Sequence, residues 1–331
     1  MVSHQKKVRA LGLCSGGLDS ILSALVLREQ GIDVAWVSFE TPFFSADKAR
    51  RAADLTEIPL TIRNITSIYI QMLKNPPCGY GQNMNPCLDC HALMFRLAGE
   101  MMEENGFDFL FSGEVMGQRP MSQTRHSLRY VEKNSGYEGY IVRPLSIQRL
   151  PETIPEKKGW IRRETLYGIT GRSRKPQIAL AQHFKVVDYP NPGGGCLLTD
   201  KHYCIRLKDL FDHETVYTES NLHLLKHGRH FRIGPHTKII VGRDQRDNDA
   251  LIKYADRNRN TMIRLRSIPG PIGLITGEST EEDTLTAASI CIGYSKTAPH
   301  TAVEVIVIRP GGSTILKLKG ISPNTASRFM I

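Results

Sequence analysis

The chain has 331 residues, of which 40% are hydrophobic and 23% charged; such a composition excludes a disordered chain and suits about two globular domains. No apolar run approaches the ~20 residues that span a bilayer, and the opening "MVSHQKKVRALGL" has no apolar signal core, so a cytoplasmic protein without membrane contact is expected. The net charge of +10, shared by both halves, favours an anionic macromolecular partner without saying which half meets it.

Residues 8–14 read as a buried strand entering a turn, and 18–30 as a helix with apolar positions at helical spacing. A second strand follows over 33–41, a helix over 45–58, a strand over 60–66, a long helix over 90–106 and a strand over 107–114. This alternation predicts a doubly wound parallel α/β sheet. After Tyr140 the rhythm breaks. Residues 150–176 are rich in Pro, Lys and Arg and read as an exposed adaptor, and 188–200 form a glycine-rich loop expected to return to the first domain. From about 206 onward the pattern is β-rich, with strands at "KIIVG", "MIRLRS", "IGLITG", "AVEVIVIRP" and "TILKLKG" and helices over 248–258 and 285–296. The expected division is therefore 1–149 for an α/β domain, 150–204 for the adaptor and loop, and 205–331 for a smaller α+β domain.

The turn after the first strand reads "CSGGLDS". Gly16 and Gly17 let the backbone turn and approach a ligand. Its N–H groups, the helix dipole and the hydroxyls of Ser15 and Ser20 would cradle an anion. Asp19 suits such a loop if it holds a Mg²⁺ ion that bridges phosphates. "SGGLDS" resembles the signature SGGxDS of the ATP-pyrophosphatase (PP-loop) superfamily, with its adenine nucleotide alpha hydrolase-like fold. That resemblance implies ATP as cofactor, cleavage between its α- and β-phosphates, and adenylation of a carbonyl oxygen. Glu114, Gln118 and Arg119 follow a strand's C-terminal end, where ligands bind in open α/β sheets; Arg119 is a candidate for phosphate and Glu114 for Mg²⁺.

Seven cysteines at uneven spacing, with no export signal, argue for reactive thiols or metal ligands over a disulfide framework. Cys87 and Cys90 form a C-x-x-C at a helix start, where the dipole lowers thiol pKa. Cys196 stands in the glycine-rich loop. Two ligands from C-x-x-C plus a distant third leave one position open on a 4Fe–4S cluster. Cys14, Cys78, Cys204 and Cys291 are expected to be buried or incidental thiols. "NPCLDCHALMF" resembles the "NPCxxCN…KF" segment of tRNA 2-thiouridylases, with His91 in place of the usual Asn; that resemblance implies catalytic roles for Cys90 and Cys196. The same arrangement also resembles iron–sulfur-dependent tRNA thiolases, in which three cysteines hold the cluster.

"SGEVMGQRPMSQTRH", "RPLS", "GRSRKPQ" and "GGCLLTD" look like strings of thiouridylase-like relatives of the 4-thiouridine synthetases. Arg143, Arg172, Arg174 and Lys175 are candidates for tRNA phosphate contacts. In the second domain "IVGRDQRDNDAL", "SIPGPIGLITG" and "AASICIGYSK" resemble the RNA-binding module of NFACT-type proteins, with "PGPI" for "PGPH"; Arg243, Lys253, Arg264 and Arg266 are its phosphate-contact candidates. The resemblances imply a tRNA uridine sulfurtransferase that uses ATP, Mg²⁺ and a 4Fe–4S cluster or a persulfide. Its sulfur donor is then sulfide or a desulfurase-derived persulfide. The competing readings are an ATP-dependent amide ligase, which has no use for three cysteines, and a non-catalytic RNA-binding protein, which has no use for an intact "SGGLDS".

Overall fold

The computed structural model describes residues 7–190, 195–298 and 301–331. Residues 191–194, part of the glycine-rich loop, lie outside the described residues. Two compact units divide the chain, Met1–Thr199 and Asp200–Ile331.

In the first unit, β1 (Arg9–Leu13), α1 (Leu18–Glu29), β2 (Asp33–Glu40), α2 (Asp47–Thr56) and β3 (Leu60–Asn64) alternate as expected. A helix that the sequence reading missed, α3 (Thr66–Lys74), follows at once. Its "SIYIQMLK" mixes β-branched and apolar residues in a run too short to separate helix from strand by period. The 18-residue α4 (Cys87–Glu104) is rich in Leu, Met, Ala and Glu, all strong helix formers. Next come β4 (Phe109–Ser112), α5 (Arg125–Ser135), β5 (Ile141–Val142), α6 (Ile154–Lys157) and α7 (Lys175–His183). The sheet order is β3-β2-β1-β4-β5, and every pairing is parallel. Chain direction across the sheet reverses between β1 and β4, which opens a crevice at the C-terminal ends of those two strands.

One hydrophobic cluster joins β1, α1 and β4 to Ile161, Leu166, Ile169, Leu180, Ala181 and Val186. The segment expected to be an exposed adaptor is thus partly core. Its apolar residues are buried while Lys and Arg between them carry their charges to the surface.

The second unit opens on Asp200, whose Oδ1 accepts from the Tyr203 N–H at 2.7 Å and caps α8 (Lys201–His213). The expected domain boundary at 205 falls inside this helix, so the second unit starts earlier than composition suggested. After α9 (Glu219–Leu224), β6 (Arg229–Arg232), β7 (Lys238–Val241), α10 (Gln245–Tyr254), β8 (Thr261–Leu265), β9 (Gly273–Thr276), α11 (Glu281–Gly293), β10 (Ala302–Arg309), β11 (Gly312–Lys319) and α12 (Pro323–Ala326) complete it. The sheet order is β11-β10-β8-β9-β7-β6, with antiparallel pairings. Ala287, Ala288, Cys291 and Ile292 of α11 pack on the inner residues of this sheet. Among the described residues no helix is long and apolar enough to cross a membrane.

Candidate active site

The turn that follows β1 brings its backbone against α2. Gly16 has φ +69°, and a Cβ there would meet the Lys48 backbone carbon at 2.1 Å, so only glycine fits. Ser15 and Ser20 hydroxyls lie 3.0 Å apart across the loop. Gly17 begins α1 without a side-chain cap, which leaves first-turn N–H groups to an external acceptor. Gly113, just after β4, closes the other wall of the crevice. A Cβ on Gly113 would approach the Asp19 backbone carbon and the Ser20 nitrogen to 2.5 Å. Gly113→Ala must therefore push the nucleotide loop away from β4, at a cost of about 1–3 kcal/mol. We expect a lower melting temperature and weaker ATP binding; an unchanged ATP affinity by calorimetry contradicts this placement.

Asp19 sits in the first turn of α1. Its Oδ2 accepts from Gln118 Nε2 at 2.8 Å, while Oδ1 is buried with no hydrogen-bond partner among the described residues. Burial raises its pKa, and Gln118, Arg174, Gln177 and Arg119 together offset only part of that rise. A carboxylate oxygen left open beside an anion cradle is the donor a Mg²⁺ ion requires, so the residues present fit that cation.

Glu114 is committed elsewhere. Its Oε2 accepts from Arg143 Nε at 2.9 Å and from the Ser112 hydroxyl at 3.2 Å, and its Oε1 pairs with His91 Nδ1 at 2.9 Å. Burial acts to raise the Glu114 pKa, but Arg143 and His91 outweigh it and hold the carboxyl down to about 2. With both oxygens engaged, Glu114 offers less to Mg²⁺ than Asp19 does. Arg143 is 1% exposed and also pairs with Glu132. The expected contact between Arg143 and tRNA phosphates is therefore corrected: its guanidinium is inside the protein, holding two carboxylates. Gln118 is half-buried and Arg119 exposed beside it.

Cys87 and Cys90 lie in the first turn of α4, and Cys196 neighbours Cys90. Cys87 is half-buried, Cys90 buried and Cys196 half-buried. The Cys196 segment is held in place by two hydrogen bonds. Leu197 N–H donates to the Phe43 carbonyl at 3.0 Å, and Asn83 Nδ2 donates to the Thr199 carbonyl at 2.7 Å. Burial pushes the Cys90 thiol up; Tyr69 opposes this, and the neighbouring sulfurs of Cys196 and Cys87 add to it. The low thiol pKa expected from the helix dipole is thus reversed at Cys90, because desolvation disfavours a thiolate. Tyr69 stands among all three sulfurs and packs on Phe43 with ring centroids 5.5 Å apart.

Asp89, between the paired cysteines, accepts from the Cys78 N–H and the Tyr130 hydroxyl, each at 2.9 Å. Cys78 is exposed, whereas Cys14, Cys204 and Cys291 are buried. Among the described residues no group of three or more His, Cys, Asp or Glu side chains has metal-ligand spacing. Tyr69, Asp89 and His91, the partner of Glu114, are the site residues that sequence reasoning did not assign. Only the departure at His91 from the thiouridylase pattern marked any of them.

In the second unit, Lys253 and Arg264 are exposed. Arg243 pairs with Asp247 at 2.6 Å and Arg266 with Glu304 at 2.9 Å. A groove of about 890 Å³ is lined by Arg243, Asn248, Tyr294, Lys296 and Lys317 among others.

Residues 5–149 match the family of the thiamine biosynthesis protein ThiI, and residues 228–330 match the NFACT protein RNA binding domain. Two separate stretches of the chain thus resemble two different families. The chain is 26% identical over 155 residues to a probable tRNA sulfurtransferase of Oceanobacillus iheyensis, covering 44% of this chain and 37% of that protein. It is 28% identical over 146 residues to a probable tRNA sulfurtransferase of Caldanaerobacter subterraneus subsp. tengcongensis, covering 41% and 36%. The chain thus spans little more than a third of the length of these curated relatives. A solved 4-thiouridine synthetase–RNA complex with bound ATP aligns at 20% identity over 54% of this chain and 52% of that one, with a TM-score of 0.34, too distant to bear on the geometry.

Proposed function

We propose that this protein is a tRNA uridine sulfurtransferase that activates a uracil carbonyl with ATP. The observation that supports this most is the docking of Cys196 beside Cys90 in the same unit as the "SGGLDS" loop. The match to the ThiI family and the names of the two relatives support it further.

The loop and the α1 N-terminus bind the phosphates, and Asp19 is the residue to hold Mg²⁺, which supplies positive charge to the triphosphate. The uracil oxygen attacks the α-phosphorus; the new O–P bond replaces the bond to the β-phosphate oxygen, and pyrophosphate leaves. The target base has to leave its stack to reach such a site. Cys196, the more accessible of the two catalytic candidates, is the residue to carry a persulfide received from a donor. Its terminal sulfur attacks the activated carbon, the C–O bond breaks and AMP departs with the electron pair. A second thiolate, from Cys90, then attacks Cys196 Sγ, giving an enzyme disulfide and the thiouridine. An external dithiol reduces that disulfide. A 4Fe–4S cluster, if bound, would be held by Cys87, Cys90 and Cys196 and would supply hydrosulfide instead. The NFACT-type domain is the part to hold the tRNA, through phosphate contacts such as Lys253 and Arg264.

The test is reconstitution. The purified chain, bulk tRNA, Mg-ATP, a dithiol and either sulfide or a desulfurase with cysteine are incubated, and nucleosides are quantified by mass spectrometry. Thiouridine formed with one pyrophosphate per sulfur supports the reading. No thiouridine and no tRNA-stimulated pyrophosphate release under either donor sinks it. Iron and acid-labile sulfide measured on anaerobically purified protein then assign the sulfur carrier.

A further inference from the structure

Arg172, Arg174 and Lys175 were expected to meet tRNA phosphates, and the fold divides the stretch that holds them. Arg172 and Lys175 are exposed, Arg174 is half-buried, and Gln177 is fully buried. Gln177, in the first turn of α7, donates from Nε2 to Gln118 Oε1 at 3.2 Å. Gln118 in turn donates to Asp19 Oδ2 at 2.8 Å. Two amides thus tie the start of α7 to the first turn of α1. Arg174, the residue that begins α7, stands close enough to Asp19 for its charge to favour the carboxylate.

Asp19 Oδ1, Arg174 Nε and Gln177 Oε1 are all buried without a hydrogen-bond partner among the described residues. Buried polar atoms are nearly always satisfied, and three together at one crevice mark a place that a polar ligand completes. The loop beside them has the uncapped helix N-terminus and the paired serines of an anion site. A guanidinium with an open Nε has the planar fork that grips phosphate oxygens. A tRNA backbone, by contrast, is met by side chains that extend into solvent, as Arg172 and Lys175 do.

We propose that Arg174 belongs to the nucleotide site and not to the tRNA surface, its guanidinium pairing with the phosphates of a nucleoside triphosphate bound at the loop. This rests on the ATP-dependent reading above.

The experiment measures binding of ATP, inorganic pyrophosphate and, without nucleotide, bulk tRNA to the full chain in Mg²⁺. Arg174→Ala is compared with wild type, and Arg174→Gln, closer in shape, guards against an unfolded first variant. Both variants should lose at least about tenfold in affinity for ATP and pyrophosphate, the scale of a charge-assisted phosphate contact, and keep wild-type affinity for tRNA. Variants that bind ATP as the wild type does overturn the assignment. So does a loss of tRNA affinity as large as the loss of ATP affinity, since that reports general damage. A wild-type chain that binds neither ATP nor pyrophosphate overturns the nucleotide reading itself, and this assignment with it.

Discussion

Glu114→Gln lowers the stability of the first unit by about 3–5 kcal/mol at neutral pH, the scale on which breaking one partner of a buried ion pair acts. Both groups of the pair are inside: Glu114 is 7% and Arg143 1% exposed. An amide in place of the carboxylate leaves the guanidinium with Glu132 alone, while Arg143 Nη2 already lacks a partner among the described residues. His91 loses the carboxylate that anchors its Nδ1.

Acid offers a second readout of the same pair. Glu114 titrates near 2 when folded and near about 4.3 when unfolded. A depressed folded pKa contributes stability that is complete above the unfolded value and is lost as pH falls toward the folded one. The wild type should therefore lose stability steeply between about pH 4.3 and pH 2, and Glu114→Gln should lack that share of the slope. Urea unfolding of both proteins at several pH values measures it. Equal midpoints at neutral pH together with parallel acid slopes would show that the pair contributes little.

Cys196→Ala should stop sulfur transfer while leaving adenylation running. Thiouridine formation should fall by at least about 10³-fold, as when a covalent nucleophile is deleted, yet tRNA-dependent pyrophosphate release should continue as the adenylate hydrolyses. Cys90→Ala should behave in the same way if Cys90 resolves the mixed disulfide. Cys87→Ala separates the two sulfur carriers: a persulfide route tolerates it, whereas a cluster held by three thiolates does not. Mass spectrometry of the nucleosides and a coupled pyrophosphate assay give both numbers from one reaction. Thiolation by Cys196→Ala at the wild-type rate removes Cys196 from the mechanism.

Four of the five parallel strands were legible because they are short apolar runs in alternation with helices, and "SGGLDS" marked where the phosphates would go, whereas the two-residue β5 was not read. The antiparallel sheet was legible for a similar reason, since "KIIVG", "IGLITG" and "AVEVIVIRP" are too short and too β-branched to be helices. What escaped has no local period. Ile161, Leu166 and Ile169 are buried but sit at irregular intervals among Lys, Arg and Glu, so the segment around them reads as solvent-exposed. Arg143 looked like a surface cation because its partners, Glu114 and Glu132, lie 29 and 11 residues away in sequence. Arg174 and Gln177 were hidden in the same manner. Their basic neighbourhood suggested RNA, and only the folded chain brings them to Asp19. Local sequence reports backbone conformation and special loops well. It reports poorly on long-range pairing of charges, which here decides what faces the nucleotide.

The two side-chain hydrogen bonds that link Gln177, Gln118 and Asp19 bridge sequence separations of 59 and 99 residues. That distance is also a time. A ribosome adding about 5–20 residues per second needs roughly 8–32 s to travel from Asp19 to Gln177. Through that interval the emerging chain already carries the phosphate loop, but Asp19 lacks the tether that runs through Gln118 to α7. The nascent protein thus passes through a stage in which its first motif is present and the tether to it is not, and the tether forms only when a segment of ordinary-looking basic sequence reaches the first helix.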